Sequence, residues 1–125
     1  VIRLPLDQTG VVQRAVTRGE TVVVPDVRED PDYICLGYVP QTRSEIVVPI
    51  TEGHQITAVV DIHGSRPGQY SEEDILIFQA LARQIGSSLA VARAYQAALQ
   101  TQESERVLNE LSHAMTISLR LDDVF

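Results

Sequence analysis

The sequence predicts an α+β domain, a central antiparallel sheet with helices on one face and a long C-terminal helix. Three observations carry this. Residues Ser44 to Gly64 hold two runs rich in β-branched side chains, Ile46-Val47-Val48-Pro49-Ile50 and Ile56-Thr57-Ala58-Val59-Val60-Asp61-Ile62; Thr51, Glu52 and Gly53 between them supply turn chemistry for a hairpin. At period two, Ile56, Ala58, Val60 and Ile62 share one face of the second strand, and Thr57, Val59, Asp61 and His63 share the other. Ile46, Val48 and Ile50 are divided in the same way from Glu45, Val47 and Pro49 on the first strand. One side is purely apolar and suits covering helices; the mixed side suits a pocket. Third, apolar residues from Ile75 to Leu99 recur at steps of three and four, the pattern of a helix that buries one stripe.

Taken in order, Val1 to Leu6 alternates like the end of a strand with no turn before it, which reads as a chain cut inside a domain. Val11, Val12, Ala15 and Val16 have helical spacing up to Gly19, a residue suited to a left-handed C-terminal cap. Thr21-Val22-Val23-Val24 is a strand stopped by Pro25, and Asp26 to Tyr33 is a charged, proline-broken loop whose acids are expected to be solvated. Ile34 to Arg43 is too irregular for a strand and too apolar for an exposed loop; Ile34, Leu36, Tyr38 and Val39 can roof the mixed face of the hairpin.

Ser71 opens the long helix, with Asp74 placed to answer it in a capping box and three acids in the first turn to suit the helix dipole. Gly86 is its one weak position. A seam of Phe78, Leu81, Ile85, Ala92, Tyr95 and Leu99 is close to heptad spacing, and the helix, about 45 Å long at ~1.5 Å per residue, exceeds what a small sheet needs; pairing with a second copy through Ser71–Leu99 is expected. After the polar stretch 100–106 an apolar stripe restarts at Val107, Leu108, Leu111, Met115 and Leu119, as a continued or broken helix.

A chain of 125 residues, 44% hydrophobic, supports one core without disulfides or metal. The net charge of −7, with every basic residue an arginine and no basic cluster, excludes nucleic acid and anionic lipid as expected partners. No run is read as membrane-spanning. The single cysteine, Cys35, agrees with a reducing, cytoplasmic compartment.

Several segments in fixed order resemble the GAF family of small-molecule-sensing modules. They are Arg18-Gly19-Glu20, Val23-Val24-Pro25-Asp26-Val27, Asp30-Pro31-Asp32-Tyr33, Thr42-Arg43-Ser44-Glu45 with Val48-Pro49-Ile50, Ala58-Val59-Val60-Asp61-Ile62, Tyr70-Ser71-Glu72-Glu73-Asp74 and Leu81-Ala82-Arg83-Gln84-Ile85. The resemblance covers residues 1–99 as a partial domain and implies a GAF-like sheet with the terminal helices on one face and a ligand pocket on the other. Residues 100–125 then form a signalling helix or linker, and the tail from Val107 is similar to the start of another such domain. The implied parent is a multi-domain signalling protein such as a sensor histidine kinase.

On this reading a small, unidentified ligand is held by Cys35, Tyr38, Glu45, Val47, Thr57, Val59, Asp61 and His63. Glu45, Asp61 and His63 orient it and Val47, Thr57 and Val59 give shape. No cofactor is identified, and no metal is expected, because neither His54 nor His63 has a second ligand at useful sequence spacing. The expected role is regulatory and non-catalytic. The enzymatic alternative is a free-methionine sulfoxide reductase, a GAF-fold enzyme. In it Cys35 would attack the sulfoxide while Glu45 and Asp61 bind the substrate ammonium. Against this stand the missing second cysteine and His63 in a position where those enzymes show an acid. His113 lacks the following acid of a kinase phosphoacceptor motif and is read as a solvated helix residue.

Overall fold

The computed structural model describes residues 10–33 and 41–100, and the backbone of 115–120. The expected strand at 1–6, the covering segment with Cys35 and Tyr38, and His113 all lie outside the described residues. In chain order the elements are α1 (Val11–Arg18), β1 (Val22–Val24), a 3₁₀ turn (Val27–Glu29), β2 (Ser44–Glu52), β3 (Gln55–Gly64), α2 (Glu72–Leu99) and β4 (Met115–Arg120).

The sheet order is β1-β2-β3-β4. The β1–β2 and β2–β3 pairs are antiparallel and β4 runs parallel to β3. The α+β class, the central antiparallel strands and the long C-terminal helix are therefore as the sequence predicts. The helical stripe expected through Met115 and Leu119 is not: that backbone is a strand. Strands exposed on one border leave a row of unpaired amides and carbonyls, and β4 satisfies that row on β3.

Two apolar layers sandwich the sheet. On the even face Ile46, Val48, Ile50, Ala58, Val60 and Ile62 pack against Phe78 and Ala82 of α2, flanked by Tyr70, Ile75, Ile85 and Leu89. On the opposite face Val47 and Val59 pack with Val11, Val12 and Ala15 of α1, with Val22 and Val24 of β1, and with Val27. Part of the face that the sequence reserved for a pocket is thus covered by α1. Gly19 does cap α1 in the left-handed region, at φ 68°. The turn of the hairpin is Gly53-His54, one step later than expected, with Thr51 and Glu52 inside β2 and Gly53 at φ 65°.

Helix α2 starts as its sequence dictates. The Asp74 amide donates to Ser71 Oγ at 3.2 Å and the Ser71 amide donates to Asp74 Oδ2 at 2.9 Å, a complete capping box. By length and composition alone α2, at 28 residues, is long and apolar enough to cross a membrane, which the sequence reading did not expect. Here one side of it packs on the sheet. That packing also divides the expected seam: Phe78 and Ile85 face the sheet, whereas Ile77, Leu81, Val91 and Tyr95 are exposed, Val91 by 70%.

Candidate functional site

Cross-strand register builds the site. Glu45 of β2 pairs directly with His63 of β3, and Asp61 lies two residues back from His63 on the same face, opposite Val47. All three side chains are buried. His63 Nε2 is 3.0 Å from Asp61 Oδ2 and 3.7 Å from Glu45 Oε1. The other ring nitrogen, Nδ1, is 2.9 Å from Thr42 Oγ1, which fixes the ring. Despite this crowding, His63 Nε2 and Asp61 Oδ1 have no hydrogen-bond partner among the described residues. Buried polar atoms in folded proteins are almost always paired.

Burial and the neighbouring Asp61 carboxyl push Glu45 up to about 10, with the hydrogen bond to Asp61 and the more distant Asp30 acting in the same direction; Arg14 opposes them. Glu45 therefore keeps its proton at neutral pH, and two carboxyl groups coexist in a buried space without two full charges. What stands ready is a set of converging oxygen and nitrogen donors that would be relieved by a positive or proton-donating ligand.

The loop acids are not merely solvated. Arg14 of α1 pairs with Asp30 at 2.6 Å and Asp32 at 3.4 Å, and Arg43 pairs with Asp26 at 3.1 Å. The Arg43 hydrogen bond holds the Asp26 carboxyl below its ordinary value, and the Arg14 hydrogen bond does the same to Asp30. Sequence reasoning missed Arg14 and Thr42 as groups acting on the site. Thr42 lies two residues before β2, so its offset from the hairpin was the available signal.

Of the eight expected ligand residues, the fold brings Glu45, Asp61 and His63 together. Val47 and Val59 share their face but are packed under α1. Thr57 is not with them: its hydroxyl donates to Glu52, whose carboxylate also pairs with Arg93 of α2 at 2.9 Å. The cause is a register shift between Ile50 and Thr51, where Ile50 pairs with Ala58 but Thr51 with Ile56. The extra residue, Thr57, breaks the period-two rule, and Ile56 beyond it comes within reach of Gly19 on the α1 side. Cys35 and Tyr38 lie outside the described residues.

Residues 1–89 match the sequence profile of the GAF domain. Among solved structures, the chain is similar to a free methionine-R-sulfoxide reductase from Neisseria meningitidis in complex with its substrate, at 33% identity and TM-score 0.67 over 76% of this chain and 55% of that one. It is also similar to a Staphylococcus aureus fRMsr in complex with substrate, at 29% identity and TM-score 0.60 over 70% of this chain and 55% of that one. A third likeness is a putative GAF sensor protein from Burkholderia vietnamiensis, at 32% identity and TM-score 0.55 over 66% of this chain and 51% of that one. The chain thus spans little more than half the length of these proteins. No curated protein matches it significantly.

Proposed function

The chain belongs to the GAF domain family, and from that premise we propose that it is a regulatory module that binds a small molecule and passes its bound state through α2 to an output domain. The carrying observation is the buried, incompletely partnered Glu45–Asp61–His63 cluster on the sheet face opposite α2. A route to the helix exists: the Tyr70 hydroxyl donates to the His63 carbonyl at 3.1 Å, and its ring stands edge-on to Phe78 with centroids 5.4 Å apart. A ligand shifts such an equilibrium only by favouring one helix arrangement. The parent we infer is a cytoplasmic, multi-domain signalling protein of the sensor histidine kinase kind.

Two carboxyls and an imidazole suit a small ligand bearing an amino group. A thermal-shift screen of free amino acids, methionine sulfoxide and nucleotides, run in EDTA, is expected to give at least one amino compound that stabilises the domain. At 100 times its dissociation constant the gain is roughly 2.7 kcal/mol, and Asp61→Asn removes it. If no compound stabilises the chain, the ligand-binding reading fails and a purely structural module takes its place.

The likeness to substrate complexes of methionine-R-sulfoxide reductases favours one second reading, catalysis by Cys35. Its thiolate, with a proton taken up, would attack the sulfoxide sulfur and keep the oxygen as a sulfenic acid while methionine leaves; two equivalents of external thiol would then restore the Cys35 thiol, releasing water and their own disulfide. With one cysteine in the chain, no resolving thiol is internal. The expected result with free methionine-R-sulfoxide and dithiothreitol is no sulfoxide loss that depends on Cys35. Turnover abolished by Cys35→Ser would establish the enzyme instead.

For relay we infer homodimerisation through α2. Ile77, Leu81, Gln84, Ser88, Val91 and Tyr95 alternate steps of four and three along the helix face that the sheet leaves uncovered. Sedimentation equilibrium is expected to show a dimer that Val91→Glu converts to monomer without lowering the helical signal. A native chain that stays monomeric at high concentration removes this part of the proposal.

A further inference from the structure

We propose that Glu45, Asp61 and His63 form a mononuclear binding site for a first-row divalent transition ion. This goes beyond the regulatory reading, because an ion held here requires neither an organic ligand nor an output domain.

One donor atom from each of the three residues lies within 4.8 Å of the other two. Donors bonded to one ion at about 2.1 Å sit about 3.0 to 3.4 Å apart in octahedral or tetrahedral arrangements. The observed separations from His63 Nε2, 3.0 Å to Asp61 Oδ2 and 3.7 Å to Glu45 Oε1, lie close to that range. With Glu45 giving up its proton to the incoming ion, a nitrogen with two carboxylate oxygens and no thiolate matches Zn²⁺, Fe²⁺ or Mn²⁺ better than copper(I), which prefers sulfur.

Two further observations point the same way. First, His63 Nε2 and Asp61 Oδ1 are buried without a hydrogen-bond partner among the described residues. Nε2 lies 3.0 Å from Asp61 Oδ2 and 3.7 Å from Glu45 Oε1 and is satisfied by neither. Second, His63 Nδ1 is engaged by Thr42. Metal-bound histidines characteristically fix the ring by a hydrogen bond at the nitrogen that does not touch the ion. The ligands come from adjacent strands, Glu45 opposite His63, so spacing along the sequence does not reveal them.

The test uses the whole chain, freed of metal by chelation and without any amino acid present, titrated with Zn²⁺ by calorimetry and with Co²⁺ by visible absorption. One equivalent is expected to bind, with Co²⁺ ligand-field bands. His63→Ala and Asp61→Asn should each weaken binding at least about tenfold, while His54→Ala and Glu72→Gln leave it unchanged. X-ray absorption on the zinc-loaded native chain is expected to show one imidazole nitrogen in the first coordination sphere; this decides the matter should the buried variants fail to fold. No uptake up to millimolar ion overturns the proposal, as does uptake that survives both variants or a coordination sphere without imidazole. Because the amino-acid screen above is run in EDTA, failure here leaves that reading standing, and the reverse also holds.

Discussion

Gly86→Ala is expected to destabilise the domain by about 2 kcal/mol, although alanine is the better helix former. A Cβ built on Gly86 collides with the backbone carbonyl oxygen of Thr51 and lies 3.4 Å from Ile50 Cγ2. A flexible side chain could step aside, but a carbonyl held in a sheet cannot. The helix must instead move off the even face, loosening Phe78 and Ala82 from the strands they cover. Overpacking of this kind costs about 1–3 kcal/mol, and the intrinsic preference for alanine over glycine returns up to about 1. Urea denaturation gives the answer: a lower midpoint at unchanged slope is expected. Ser87→Ala, one residue on and exposed, serves as the control and should be neutral or slightly stabilising. Equal stability of Gly86→Ala and native protein would show that the helix does not pack this closely.

Glu45→Gln is expected to act in the opposite direction, making the ligand-free domain more stable near neutral pH by about 2 kcal/mol. The folded carboxyl holds its proton to about 10, against 4.5 for the ordinary glutamate of the unfolded chain. Stability associated with that proton is fully present below pH 4.5 and drains away as pH rises toward 10, because only the unfolded chain releases the proton across that interval. The loss is on the order of 1 kcal/mol per pH unit. Glutamine imitates the protonated acid, can still donate to Asp61, and removes the dependence. Denaturation in EDTA at several pH values should show the native curve falling from pH 5 to 9 and the variant curve flatter, other groups facing the site (Asp61, His63, Asp30 and Arg14) being common to both. Parallel curves would mean that Glu45 is ionised in the fold. The same variant should bind a cationic ligand less well, as expected where a site is held in a state that its fold alone disfavours.

Much of the scaffold was legible because local chemistry decides it. The Ser71–Asp74 capping box, the glycine cap at Gly19 and the hairpin itself follow from neighbouring residues. The faces of Ala58 to Ile62 follow from strict alternation. Where reading failed, a partner distant in sequence had intervened. Gly86 looked like a flaw in a helix until β2 lay against it. Asp30 looked solvated until α1 brought Arg14 to it. Thr57 was assigned by parity, and parity is reset by an inserted residue that no composition rule marks. At the site, Glu45, Asp61 and His63 could be chosen because alternation puts them on one face. Their mutual pairing, and the part played by Thr42, needed the strand register.

The slip at Thr57 also divides the hairpin mechanically. Glu45 and His63 lie at one end of the ladder and Gly53-His54 at the other, roughly 25 Å away at strand spacing. Between them the irregular pair interrupts the regular ladder that would otherwise run unbroken from tip to charged end. The exposed Gly53-His54 turn is accordingly where foreign sequence can be spliced into this chain with least disturbance to its chemistry.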